Sequence, residues 1–423
     1  MQQNKNHLSN SLKGIGFSKL PSIPYDILFY RQSMENDCSI KDKLYRAPIA
    51  LARRAFFPET KTIEYMNNPQ AKILFYLSDP VRKSNEVNFN KVVSTVENPD
   101  TLVERHCKGK FSFVGFYIYI VLLPVWYLQM HGRGLRLIEK YQILKGLCEA
   151  YYVQRFFRFI NIKKYNLLVC YYDSIIHECM LNLMFKKQGV KTATLQHGQF
   201  NAWREDTVAN CGLEFGASPS DFHLCWNKFA QDEAIKCGWN KENLPIVGIM
   251  SNIGRGQEHC KKPNNGIFGV VISHPYWEHE NYEMIKAANI LAERYNLKYY
   301  LKLHPNYKED YFRNTVNEHY IGNTKKGIDT LEYTNMVEFT IVGSTSFFVE
   351  MVYCYHDILR YSSQLPSDKY RDIYIGSTFN NAQDVIESYE RLNVECKSRL
   401  FEYLCESTNT RECYKIFFSK FNE

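Results

Sequence analysis

The sequence has no C-x-x-C pair, although it contains 13 cysteines. An odd number of scattered cysteines argues against a zinc knuckle or a disulfide framework and fits a reducing compartment. A D-x-D sequence is missing too, so no metal site of that carboxylate-pair type is expected. The opening stretch MQQNKNHLSNSLKG contains no apolar signal core, which leaves the cytoplasm as the expected location. Strong charge of one sign is also lacking. With 52 basic and 45 acidic residues the net charge is +7, too weak and too dispersed to point to a nucleic-acid partner. The mild excess suits an anionic substrate or an anionic membrane surface.

One stretch lacks charge altogether. Residues 111–130, FSFVGFYIYIVLLPVWYLQM, are flanked by Lys108, Lys110, Arg133 and Arg136. Twenty apolar residues are formally enough to span a bilayer. The run is rich in β-branched and aromatic residues, however, and Pro124 interrupts it. A buried element or a shallow membrane-facing patch is therefore expected, with a spanning helix as the alternative.

What is present reads as a globular enzyme-sized chain. Its 423 residues exceed one ordinary core and predict two domains. Apolar residues make up 45%, and the 31 Tyr and 27 Phe suit both a core and a surface for flat polar ligands such as sugars. Residues 1–160 are harder to parse, with a strand in AKILFYLSD (71–79) and a helical pattern over 135–160. Beyond them the pattern alternates. YNLLVCYYDS (165–174), VKTATLQHG (190–198), DFHLCWN (221–227) and LPIVGI (244–249) are predicted strands, and 175–189 is a helix closed by glycine. MSNIGRGQEHCKKPNNG (250–266) has no apolar period and reads as a linker. After it come strands in IFGVVIS, YYLKLHP, HYIGNT, VEFTIVG and DILRYS, with helices over 279–296, 344–354 and 381–404. Strands alternating with helices predict parallel sheets with right-handed crossovers. The expected fold is α/β: two facing Rossmann-like domains, 1–249 and 267–423, with a cleft between them and a terminal helix packing back on the first.

Ligands of open parallel sheets bind at the carboxyl ends of the strands. TIVGSTSFFVEM (340–351) ends a strand at Gly343 and places Ser344, Thr345 and Ser346 where the next helix begins. Hydroxyl residues there cap free N–H groups, and the same end attracts phosphate. Glu350 lies one turn further in, placed for a ribose diol. Ser273 and His274 end the first strand of this half, and Lys302, His304 and Pro305 end the next. Each taken alone is an ordinary cap or polar loop; three adjacent strand ends with phosphate-compatible groups are a pattern. In the other half His197, within Gln196-His197-Gly198, ends a strand and offers a general base, with Gly198 allowing close approach. Asp173 is a second base candidate, and Glu205 and Asp206 follow in a loop.

The order Q-H-G, SPSDFHLCWNKFAQDEAIKCGW, LPIVG, K-L-H-P and G-S-T-S-x-x-x-E resembles bacterial GT-B fold transferases of surface polysaccharides. These include capsule and lipopolysaccharide glycosyltransferases, HP-motif sialyl- and polysialyltransferases, and teichoic-acid glycerophosphotransferases. The resemblance covers about residues 165–380. It implies that His304 and Ser344–Ser346 hold the donor phosphate, that Glu350 holds the donor ribose, and that His197 matches the glycerophosphotransferase HG histidine. The acidic-acidic-glycine motif of the sialyltransferases has no counterpart here. The expected activity is a metal-independent glycosyltransferase with no cofactor beyond its nucleotide-activated donor. The acceptor would be lipid-linked or an oligosaccharide, met at the inner face of the plasma membrane. Transfer of a polyol phosphate from a CDP donor and epimerisation of a sugar nucleotide are the alternatives.

Overall fold

The computed structural model describes residues 47–58, 61–78, 83–106, 111–132, 134, 137–172, 176–198, 218–252, 263–363, 370, 373, 377–392, 397–405 and 409–422. Its strands build two six-stranded sheets. The first contains β1 (Lys61–Met66), β2 (Ile73–Leu77), β3 (Asp100–His106), β4 (Leu167–Cys170), β5 (Lys191–Leu195) and β6 (Phe222–Leu224), in the order β1-β3-β2-β4-β5-β6. Only the β1–β3 pair is antiparallel. The second contains β7 (Ile267–Val271), β8 (Lys298–Lys302), β9 (Tyr320–Asn323), β10 (Phe339–Val342), β11 (Asp357–Tyr361) and β12 (Thr378–Phe379). It is parallel throughout, in the order β12-β11-β10-β7-β8-β9.

Both sheets are covered on two faces, which is why their central strands are unbroken apolar runs. In β2 and β4, Phe75, Leu77 and Val169 join one core while Leu74, Tyr76 and Leu168 join another on the opposite face. In the second sheet Val271 and Val342 extend the first of these cores, and Val270, Leu301 and Ile341 form a third.

The helices are α1 (Ala47–Phe56), α2 (Lys83–Val93), α3 (Val114–Tyr117), α4 (Leu123–Gln129), α5 (Leu137–Phe156), α6 (Ile176–Lys187), α7 (Lys228–Lys236), α8 (Glu278–Tyr295), α9 (Thr330–Met336), α10 (Phe347–Tyr353), α11 (Val385–Glu390), α12 (Lys397–Leu404) and α13 (Thr410–Ser419). Although it ends the chain, α13 lies on the first sheet. Phe418 meets Phe75 edge-on with ring centres 5.3 Å apart, and Phe417 meets Phe222 at 5.6 Å. Arg411 donates to the Ser94 carbonyl at 2.9 Å, and Asn166 donates to the Phe421 carbonyl at 3.1 Å.

Three expectations are corrected. LPIVGI is not a strand: only Ile246 bridges to Cys225. Pro245 has no N–H to give a ladder, and Gly248 turns the chain at φ +86° against Thr410. The helix expected over 381–404 is broken into a 3-10 turn (Ala382–Asp384), α11 and α12. The helix expected from residue 344 starts only at Phe347. Among the described residues no helix is long and apolar enough to cross a membrane. The uncharged run 111–130 instead folds as α3, a π-helical turn (Ile118–Leu122) and α4.

Candidate functional site

Parallel pairing brings the carboxyl ends of β7, β8, β10 and β11 to one edge. Lys302 pairs in register with Val271, Val271 with Val342, and Val342 with Arg360. In a parallel sheet such partners point to one face, so the row holds a cation at each end and valines between. The Lys302 ammonium lies 4.6 Å from the centre of the Phe347 ring at the start of α10. Burial pushes its pKa down, and the Glu350 carboxylate partly restores the charge. The Thr330 hydroxyl, at the start of α9, donates a hydrogen bond to Glu350 Oε2. Arg360 is buried, with its guanidinium 6.0 Å from the Tyr370 ring centre. An arginine inside the apolar run DILRYS is the sequence signal for this residue.

The loops after β7 and β8 bring two imidazoles together. The rings of His274 and His304 are 4.9 Å apart and nearly perpendicular. His304 Nδ1 accepts the Asn306 backbone N–H at 3.2 Å, so Nε2 carries the proton of the neutral ring. Asn306 Nδ2 is 3.0 Å from His274 Nε2 and ties the second ring to the first. Pro305 is exposed and occupies the second position of a turn closed by Tyr307 N donating to the His304 carbonyl at 3.0 Å. It shapes the loop and offers no polar side-chain group. Behind them Asn281 holds both backbone groups of Ser273, at 2.8 and 3.1 Å, and donates to the Tyr307 hydroxyl at 3.1 Å. The Ser273 hydroxyl is buried with no hydrogen-bond partner among the described residues.

Ser344, Thr345 and Ser346 stand beside this group as a tight turn ahead of α10. Ser346 has helical dihedral angles and makes no side-chain cap, while Thr345 Oγ1 accepts from Phe347 N at 3.4 Å. Of the three hydroxyl residues expected to cap, Thr345 does so, because the chain already turns at Gly343, where Thr345 N donates to its carbonyl at 2.9 Å. Glu280 in the first turn of α8 is buried with a carboxylate oxygen 3.2 Å from where a Cβ on Gly343 would sit. The edge thus gathers Lys302, His304, Ser273, His274, Ser344–Ser346 and Glu350, and adds Asn306 and Glu280. The last two act through loop and helix contacts that sequence spacing does not reveal.

His197 lies on the other sheet, just past β5. Its ring meets Tyr172 edge-on at 4.4 Å and is half-buried. Its loop is held by Gln196, which is fully buried; Oε1 accepts from Trp226 N and Nε2 donates to the Gly198 carbonyl, both at 2.7 Å. Among the described residues a Cβ on Gly198 would meet nothing within 4 Å. Asp173, Glu205 and Asp206 lie outside the described residues. A separate polar network, on the opposite face of the sheet, links Tyr76 to Glu104 at 2.6 Å and His177 to Glu104 at 3.0 Å.

His223 on β6 is buried near His197, and burial, with His197 adding to it, pushes its pKa down to about 3. The unfolded chain protonates this ring below about pH 6.5, whereas the folded protein does not until about pH 3. Folding stability is therefore lost as pH falls through this window, by up to about 1.4 kcal/mol per pH unit from this one group. His223→Asn is expected to flatten that loss, measured as urea unfolding free energy at successive pH values. Parallel pH curves for the two proteins would remove His223 as the source.

No family model matches the chain, and no curated protein matches it. Solved structures do. The UDP-GlcNAc 2-epimerase of Methanocaldococcus jannaschii has 11% identity and a TM-score of 0.50, covering 82% of this chain and 99% of that one. The S. aureus MnaA–UDP complex has 13% identity and a TM-score of 0.48, covering 82% and 95%. The wall teichoic acid polymerase TagF has 8% identity and a TM-score of 0.46, covering 93% and 97%. With its two Rossmann-like sheets, the protein has a GT-B-like α/β fold.

Proposed function

We propose that the protein is a glycosyltransferase that moves a sugar from a nucleotide-activated donor to a growing bacterial surface polysaccharide, capsule or lipopolysaccharide. The acceptor would be lipid-linked or an oligosaccharide. The observation that carries the reading is Lys302: a half-buried cation at a parallel-strand end, its charge disfavoured until an anion arrives. A donor diphosphate over this edge supplies that anion. Lys302 and His304 Nε2–H then stabilise the negative charge that develops on the leaving phosphate. Ser273 and Ser344–Ser346 supply hydroxyl or backbone donors around it. The acceptor oxygen forms its bond to the anomeric carbon as the carbon–phosphate-oxygen bond breaks, and His197 or Asp173 takes the acceptor proton. The sugar ends on the acceptor and the nucleotide leaves with the bonding electron pair.

Glu350 would accept from the donor ribose diol once its bond from Thr330 is exchanged or shared. Glu350→Gln is expected to weaken free nucleotide binding in calorimetry while leaving the melting temperature nearly unchanged. A large drop in melting temperature with unaltered nucleotide affinity would make the Thr330 bond purely structural. Thermal shift with UDP-, GDP-, CMP- and CDP-activated compounds, followed by turnover with and without acceptor, tests the whole reading. The epimerase of the same fold makes sugar-nucleotide epimerisation the second reading; it predicts conversion without any acceptor. Transfer of polyol phosphate predicts turnover with a CDP donor and a phosphodiester product.

A further inference from the structure

Nine of the twenty exposed large apolar side chains among the described residues fall within residues 111–128. This segment has two apolar faces. Ile118, Leu122, Leu123, Trp126 and Met130 point inward and belong to the core beneath the first sheet. The outward face repeats at helical spacing through Phe113, Phe116, Ile120, Val121, Val125 and Leu128; Phe113 is 80%, Ile120 65% and Leu128 67% exposed. A helix apolar all round has a second apolar neighbour in its working state. From Val114 to Gln129 it is about 24 Å long at about 1.5 Å per residue, short of the ~30 Å hydrocarbon core. With one side committed to the protein core, it lies along a surface and does not cross a membrane.

Charge identifies the surface. From Lys108 to Arg136 the sequence carries four Lys or Arg and no Asp or Glu. Arg53, exposed in the last turn of α1, and Lys140, 5.3 Å from the Tyr127 ring, add cations at the described edge of the patch. A second copy of the chain would set one basic flank against another. Residues 1–46 are no better matched, with seven basic and four acidic residues. An anionic bilayer supplies both an apolar layer for the aromatic and aliphatic side chains and counter-charge for the rim. We infer that the outward face of residues 111–128 is a docking surface that inserts into the interface of an anionic lipid bilayer. The inference is independent of which reaction the second sheet supports.

The test is co-sedimentation of the full chain with phosphatidylcholine vesicles, with and without phosphatidylglycerol, at low and high salt. Wild type should bind the vesicles containing phosphatidylglycerol, less tightly at high salt, and alkaline carbonate should release it. The triple variant Phe113→Asp, Ile120→Asp, Leu128→Asp should lose binding about tenfold or more with an unchanged melting temperature, because all three side chains face outward. Wild type staying in solution with every vesicle would overturn the inference, as would equal binding by the variant. If wild type ignores vesicles but sediments as a dimer that the variant splits, the face belongs to a second copy. If instead the variant melts far lower, the chain's own residues cover it. Retention through carbonate would make the segment a spanning helix.

Discussion

Lys302→Ala is expected to lower kcat/KM for the donor about ten- to a hundredfold, the loss of a charge-assisted contact of roughly 1.5–3 kcal/mol. The native fold should survive it. Burial disfavours the Lys302 charge in the ligand-free protein, so the ammonium is not there for stability. Lys302→Met makes the distinction sharper, since it keeps the apolar stem over Phe347 and removes the charge. Its melting temperature should equal or exceed that of wild type while donor affinity falls as far as in the alanine variant. His304→Ala should show a smaller loss of the same kind. Donor affinity of the wild type should also decline at alkaline pH earlier than an ordinary lysine would predict, because the free protein's Lys302 releases its proton below the usual 10.5. The bound anion holds that proton on, so affinity falls as pH rises through the free-protein pKa. Unaltered donor kinetics in the alanine, methionine and His304 variants would take this strand end out of the site.

The parts of the fold that were legible in the sequence are those buried on both faces. ILFYL, LLVC and IFGVV are unbroken apolar runs, and FTIV departs from one only by the buried Thr340, because helices cover each side of their sheets. The antiparallel edge was not legible. In β1 and β3, KTIEYM and DTLVERH, the polar residues are satisfied by partners far along the chain. Arg105 pairs with Glu64 and Glu86 at 3.1 and 2.6 Å, and buried Glu104 accepts from Tyr76. Such long-range pairing leaves no local pattern. LPIVGI failed for the opposite reason: its apolar content imitates a strand that Pro245 and Gly248 forbid.

The candidate site was legible where it is made of strand ends, since an apolar run that stops at Lys302 and His304 shows its turning point directly. The supporting residues were not. Asn281 and Glu280 come from the first turn of α8, whose role is set by a hydrogen bond to Ser273 and a packing contact at Gly343. Arg360 joins the site's edge only through the register that aligns it with Val342. Helix onset was misjudged at Ser344 because three hydroxyl residues suggest a cap, whereas local backbone bonds from Thr345 to Gly343 and from Phe348 to Thr345 make a turn first. In the proposed donor site, phosphate affinity would therefore rest chiefly on Lys302 and His304, and less on a helix end of seven residues.

His197→Asn is expected to lower kcat about a hundredfold or more while donor affinity stays close to that of wild type. Histidine exchanges a proton near neutrality without heavy tuning, which a base for an acceptor hydroxyl requires. The ring is oriented before substrate arrives: Tyr172 meets it edge-on, and Gln196 pins the following carbonyl to the same loop. Asparagine keeps part of the hydrogen bonding and removes the base, so the loss should appear in turnover and not in binding. Asp173→Asn is the competing variant. If it is inactive while His197→Asn turns over normally, the base is Asp173 and the histidine only shapes its loop. If both lose kcat by similar factors and the double variant loses no more, the two act as one unit, with the aspartate orienting the imidazole. A His197→Asn enzyme with normal kcat and a raised acceptor KM would make the ring an acceptor-binding group and leave the proton to another acceptor.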